Sequence, residues 1–185
     1  MSKYVAMLRG IGPGNPNMTS AAFRSFFEGL GFTGVQTVLS SGNIIFESPS
    51  SDTDTLTKLI EKALPQKLGY SRSVIIRSQK ELQNLIDQDP YKGIEQNHNK
   101  GTYLLVTFFR HAPNIPFSLP CTPENKPYTL LGKIDDAVYG SIDLSSVPGA
   151  KTPDYMSWLE KQFGKEITSR TPKTIRLVLS KMQRA

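Results

Sequence analysis

Two short stretches of this chain place a cation and turn-forming residues at the ends of apolar runs. Tyr4-Val-Ala-Met-Leu-Arg-Gly10 finishes on Arg9 and Gly10, and Ser40-Ser-Gly-Asn-Ile-Ile-Phe46 opens through Gly42 and Asn43. A guanidinium is a permanent charge with a planar fork of donors that matches carboxylate or phosphate. Glycine lets backbone N–H groups come close to such a ligand. Arg9, Gly10, Gly42 and Asn43 are therefore candidates for holding an anion, provided the fold brings them together. The competing reading is that the glycines only let the loop pass close to the sheet edge. A second set, Arg170, Lys173 and Thr174, surrounds Thr171-Pro172. That pair reads as a helix start, where the positive end of the helix dipole favours negative charge. A capped helix with solvated basic residues explains the second set equally well.

Other candidates weigh less. Gly10-x-Gly12-x-Gly14 follows an apolar run, but it lacks the dinucleotide-binding spacing, and Pro13 has no N–H to offer a phosphate. Cys121 would need a base or a helix N-terminus to become a nucleophile. His98 and His111 have no spacing relative to it that suggests one. Two His and one Cys form no metal-ligand pattern. Asp135-Asp136 are adjacent, so on a strand they point to opposite faces, and a turn suits them better than a catalytic pair. No catalytic residue, metal or cofactor is assigned.

The elements that must position the candidates follow from periodicity and punctuation. Lys3 to Arg9 reads as a buried strand. Ile11 to Met18, with Gly12-Pro13-Gly14 and Asn15-Pro16-Asn17, reads as a loop. Thr19 or Ser20 caps a helix whose apolar face is Phe23, Phe26, Phe27 and Leu30, ended by Gly31. Val35 to Leu39 and Ile44 to Glu47 form a hairpin about Ser40 to Asn43. Ser51 or Asp52 opens a helix burying Leu56, Leu59, Ile60, Ala63 and Leu64, with Pro65 kinking or ending it. Ser73 to Arg77 is a fourth strand.

The order β-α-β-β-α-β is the ferredoxin-like unit. It sets the first and third strands side by side and antiparallel, so Arg9-Gly10 should meet Gly42-Asn43. Ser78-Gln-Lys-Glu81 is a capping box for a helix stopped at Asp89-Pro90.

The second half is less regular. Thr102 to Phe109 is a clear strand. Residues 112–127 are proline-rich and mostly irregular, with one short helical piece expected within Pro123 to Leu131. Asp136 to Asp143 alternates as a strand, and Leu144 to Ala150 is a loop. Thr152-Pro153-Asp154 starts a helix with Met156, Leu159 and Phe163 inward and Gly164 at its end. Ile167 to Ser169 is a short strand. The last helix turns Ile175, Val178, Leu179 and Met182 inward and Arg176, Lys181 and Arg184 outward. No sequence repeat links the halves.

A length of 185 residues suits two small units: residues 1–90, a ferredoxin-like unit with a trailing helix; a polar linker at 91–100; and a second, smaller α/β unit at 101–185. The class is α+β. Apolar content of 38% and charged content of 21% describe an ordinary globular chain. A net charge of +6 and a pI near 9.4 push weakly towards anionic partners. One cysteine excludes an internal disulfide. No apolar run suits a signal peptide or a membrane span, so a cytoplasmic location and no membrane partner are the defaults.

Several motifs resemble the widespread bacterial domain-of-unknown-function family numbered sixteen-ninety-seven. Its N-terminal Tyr-Val-Ala-Leu-Leu-Arg-Gly-Ile-Asn-Val-Gly-Gly stands here as Tyr4-Val-Ala-Met-Leu-Arg-Gly-Ile-Gly12-Pro-Gly-Asn15, followed by Met18. Leu30-Gly31-Phe32, Ser41-Gly42-Asn43-Ile44-Ile45-Phe46 and Ile76-Arg77-Ser78 match further elements, and Thr168-Ser-Arg170-Thr171-Pro-Lys-Thr174 matches one near the end. The resemblance implies a ferredoxin-like fold with a C-terminal α/β extension, and no reaction. Gly12 and Thr171 stand where the family usually has Asn. If relatives bind a ligand through those Asn side chains, this chain should bind it less well.

The function expected is binding of an anionic small molecule or nucleotide-like ligand at the sheet edge. The alternatives are a nucleic-acid-binding module and an enzyme with an unrecognised site. Tyr4 and Phe46 could stack bases in the manner of an RNA-recognition sheet, although Ile44 occupies the position of a further aromatic. Self-association through the sheets is a fourth reading, and the oligomeric state is open.

Overall fold

The structure, a computed structural model, describes residues 1–11, 18–39, 42–69, 71, 73–94, 101–146 and 154–184. The first half runs β1 (Ser2–Leu8), α1 (Ser20–Gly29), β2 (Thr33–Val38), β3 (Asn43–Ser48), α2 (Thr53–Leu68), β4 (Val74–Ser78) and α3 (Gln79–Asp87). The second half runs β5 (Thr102–Phe109), β6 (Tyr128–Ile134), β7 (Ala137–Asp143), α4 (Tyr155–Phe163), β8 (Ile167–Arg170) and α5 (Pro172–Arg184). The class is mixed α+β, with two four-stranded antiparallel sheets ordered β2-β3-β1-β4 and β6-β7-β5-β8.

Contacts divide the chain into unit 1, Met1–Asn84 with Thr174–Ala185, and unit 2, Leu85–Lys173. The expected division at 91–100 kept the last helix with the second half; by contacts, that helix belongs to unit 1 from Thr174 onward. Residues 95–100 of the expected linker lie outside the described residues.

In unit 1 one face of the sheet carries Tyr4, Ala6, Leu8, Ile44, Phe46, Val74 and Ile76 into a core with α1 and α2. Phe23, Phe26 and Phe27 supply the α1 side of that core, and Leu56, Ile60, Leu64 and Leu68 the α2 side. Thr19 caps α1, its Oγ1 accepting from Ala22 N at 3.1 Å. Asp52 caps α2 by accepting from Asp54 N and Thr55 N. Pro65 neither ends nor breaks α2, which runs on to Leu68 before Gly69 closes it in the left-handed region. Proline forfeits one backbone bond. Burial of Leu64 and Leu68 in the core holds the last turn at about 1.5–3 kcal/mol per side chain. Leu59, expected on the buried face, is 43% exposed.

The capping box forms as expected. Ser78 N donates to Glu81 Oε2 at 2.7 Å, and Glu81 N donates to Ser78 Oγ at 3.2 Å. On α5, Ile175, Val178, Leu179 and Met182 are buried, and Lys3 Nζ donates to the Met182 carbonyl at 2.9 Å.

In unit 2, α4 begins later than expected, at Tyr155 after Asp154, with Thr152 and Pro153 outside the described residues, and the region before β6 also departs from expectation. The short helical piece proposed within 123–131 is instead a single turn, closed by Lys126 N donating to Pro123 O, and then the strand β6. Tyr128, Leu130, Gly132 and Ile134 alternate inward along β6. That period of two signals a strand, but the prolines around its start mask it.

The two sheets repeat one plan that no sequence similarity announces. Taken in chain order, the strands of each sheet lie second, third, first, fourth. Leu8 N donates to Gly42 O in one sheet and Phe109 N to Asp136 O in the other. Val5 lies between Ile45 and Arg77 in the first sheet, and Val106 between Tyr139 and Arg170 in the second. Among the described residues, no helix stands between β5 and β6 where α1 stands between β1 and β2. An irregular stretch follows β5 in its place, with Cys121 bridging to Leu130.

Candidate functional site

The antiparallel pairing of β1 with β3 runs from Ser2 opposite Ser48 to Met7 opposite Asn43. It continues in the Leu8 N to Gly42 O bond of 2.7 Å. Arg9 and Gly10 leave β1 beside the point where Gly42 and Asn43 enter β3, so the fold brings four of the candidate residues together.

Each of the four sits there for a local reason. Gly10 has a φ of +67° and Gly42 a φ of +70°, in the region that suits glycine. A Cβ on Gly42 would lie 2.5 Å from Ile11 Cγ1 and 3.1 Å from both Leu8 Cβ and Leu8 O. Glycine is therefore needed at this position both for the turn and for the close approach of β1. Asn43 is 1% exposed, and its Nδ2 donates to Val38 O at 3.1 Å. That bond ties the start of β3 to the end of β2 and braces the hairpin. Arg9 is half-buried and Gly10 exposed. Behind the turn, Ile11, Met18, Phe23 and Ile44 help enclose a cavity of only about 10 Å³, close to the least that holds a water. A ligand at this edge would lie on the turn and not inside it. Ser40, Ser41 and Gly12 lie outside the described residues.

The second set is arranged differently. Arg170 ends β8 with its guanidinium turned back along its own strand, Nη1 donating to Thr168 Oγ1 and to Ser169 O, both at 2.8 Å. Lys173 is exposed and Thr174 half-buried in the first turn of α5. Arg170 and Lys173 belong to unit 2 and Thr174 to unit 1. Arg77, not singled out from the sequence, repeats the Arg170 posture: its Nη1 donates to Ile76 O at 2.7 Å, and its Nε lies 3.7 Å from Glu81 Oε1. The signal was legible, since Ile76-Arg77-Ser78 and Ser169-Arg170-Thr171 each end a strand and open a helix.

Other candidates take structural roles. Tyr4 and Phe46 are 3% and 0% exposed, with ring centroids 5.7 Å apart, so neither ring is open for stacking a base. Asp135 and Asp136 form the β6–β7 turn between paired Ile134 and Ala137. Cys121 is half-buried and exchanges two backbone hydrogen bonds of 2.8 Å with Leu130. His98 lies outside the described residues. Among the described residues no group of three or more His, Cys, Asp or Glu could hold a metal ion, and no helix is long and apolar enough to cross a membrane.

The comparisons with known proteins agree with this frame. A family model described as "Protein of unknown function (DUF1697)" matches residues 1–131. The solved structure of conserved bacterial protein SP0830 from Streptococcus pneumoniae is similar at 20% identity and a TM-score of 0.67, covering 99% of each chain. At that identity the likeness concerns the fold. No curated protein matches.

Proposed function

We propose that this chain, which belongs to the DUF1697 family of proteins of unknown function, binds an anionic small molecule or nucleotide-like ligand on the β1–β3 edge of unit 1. Arg9 supplies the charge, and the Gly10 and Gly42 turns supply backbone approach. Asn43 holds the hairpin that presents them. The observation that carries the reading is the Leu8 N to Gly42 O bond, which sets a cation and two positive-φ glycines side by side. An exposed or half-buried arginine beside such turns can recognise phosphate or carboxylate without an enclosing pocket.

Arg170, Lys173 and Thr174 remain a secondary locus for the same chemistry at the start of α5. We also read unit 1 as ferredoxin-like, which the order β2-β3-β1-β4 and the packing of α1 and α2 on one face support. Nucleic-acid binding has less support, because the aromatic platform is core. It would also predict affinity that falls steeply with salt.

A thermal-shift panel of nucleotides, sugar phosphates and acyl-CoA tests the proposal. A ligand at ten times its Kd stabilises by about 1.4 kcal/mol, or roughly 3–6 °C for a chain of this size. Such a shift is expected in the wild type and should vanish in Arg9→Ala. A shift that survives Arg9→Ala and Arg170→Ala together contradicts the assignment of these residues.

A further inference from the structure

The end of β5 corresponds in unit 2 to the end of β1 in unit 1, and it opens on much more space. A cleft of about 480 Å³ lies there, its wall including Arg110, His111, Pro113, Gln162, Phe163 and Glu166. That volume falls within the usual range for small-molecule sites, whereas the cavity behind the Gly42 turn holds about 10 Å³. The sequence carried a signal for it: Phe109-Arg110 ends β5 as Leu8-Arg9 ends β1.

The lining combines two kinds of chemistry. Arg110 Nη1 lies 2.8 Å from Glu166 Oε1, with the arginine side chain 20% and the glutamate 58% exposed. The backbone reinforces this pair, Arg110 N donating to Glu166 O at 3.3 Å. Phe163, also in the lining, is fixed edge-on to Phe109 with centroids 5.2 Å apart, and it packs on Phe117. A simple anion meeting Arg110 would face the Glu166 carboxylate, and a simple cation meeting Glu166 would face the guanidinium. A ligand carrying both charges close together satisfies both groups at once, because complementary charge patterns select partners and like-charge juxtaposition rejects them. The Phe163 and Pro113 surface suits an apolar side chain.

We infer that this cleft binds a zwitterionic α-amino acid with an apolar side chain, its carboxylate on Arg110 and its ammonium on Glu166. The cleft is lined by residues of unit 2 alone. Titration calorimetry with L-phenylalanine and L-leucine tests it, with 3-phenylpropionate and phenethylamine as single-charge controls. At least one amino acid should bind the wild type, and each control at least tenfold more weakly. Glu166→Gln, at an exposed side chain, should weaken amino-acid binding at least tenfold and narrow the preference over 3-phenylpropionate. Arg110→Gln should do the same relative to phenethylamine. Absence of binding by both amino acids, or binding that Glu166→Gln leaves intact, overturns the assignment.

Discussion

Gly42 meets two demands that no other residue type meets together: a φ of +70° and no Cβ against Ile11 and Leu8. Gly42→Ala should therefore destabilise the chain by about 2–3 kcal/mol, from left-handed strain and overpacking combined. Urea unfolding measures this, and a loss below about 0.5 kcal/mol would mean that the turn relaxes without cost. Asn43 contrasts with Arg9. Its buried amide is committed to Val38 O, so it acts on stability, whereas Arg9 is proposed to act on binding. The positions of Gly42 and Asn43 were legible, because Gly and Asn punctuate an alternating apolar pattern. The engagement of the Asn43 side chain was not, because nothing in the local sequence says which carbonyl an amide will reach. Tyr4 and Phe46 show the same limit from the other side. Period two gives them a common face, and only the packing of α1 and α2 makes that face the core.

Helix caps carry much of the local specification, and one of them titrates usefully. The Asp52 carboxyl lies below the usual carboxylate range, chiefly through the hydrogen bonds from the Thr55 hydroxyl and backbone. Its folded value is depressed, so its contribution to stability is complete above the unfolded carboxylate pKa and is lost as pH falls through the folded one. Asp52→Asn keeps a good cap and removes the titration. Its Tm should fall less steeply than the wild type's as pH drops from 5 to about 2.5. Parallel acid limbs would show that Asp52 does not contribute.

The Ser78 cap is readable because Glu81 stands three residues on, whereas Thr19 and Asp52 each stand beside a second plausible cap, Ser20 and Ser51, and only the hydrogen bonds from Ala22 N and Thr55 N decide between them. Proline is the shared reason for two departures: the sequence offers a kink or an end at Pro65, yet α2 does not end there but runs on to Leu68, and the prolines before Tyr128 hide the start of β6. In α2, burial of the next turn outweighs one lost bond. In β6, the alternation that begins at Tyr128 continues past the prolines before it.

At the scale of the whole chain, contacts group α5 with unit 1 from Thr174 onward. Met182 is fully buried there, so Met182→Ala should cost about 2–4 kcal/mol, readable in chemical denaturation. A change below about 0.5 kcal/mol would mean that the helix end contributes no core. Unit 2 makes a separate prediction through its tyrosines. Burial, and then the neighbouring Tyr155, pushes the Tyr91 phenol far up; its single O–H proton is shared between Leu105 O and Gly140 O. Burial, and then the Asp154 carboxylate, raises Tyr128. Burial lifts Tyr155 to about 12. These folded values lie above the unfolded ~10, so stability present below that value is lost as pH rises through the folded ones. Absorbance titration should show these three of the seven tyrosines silent until alkaline unfolding. Seven phenols titrating together near pH 10 would contradict their burial.

The duplicated sheet plan was invisible in sequence, because equivalent positions such as Ile45 and Tyr139 share a place in the register and not a residue type. The meeting of Arg9 and Gly10 with Gly42 and Asn43 was legible, because strand order alone implies it. Whether that meeting point binds anions is tested most directly by an amide NMR titration with ADP and with pyrophosphate. The Gly10 and Gly42 amide resonances should move together and saturate, and Arg9→Ala should abolish the movement while the rest of the spectrum stays folded. Saturable shifts confined to other regions, or none at millimolar ligand, would contradict anion binding there.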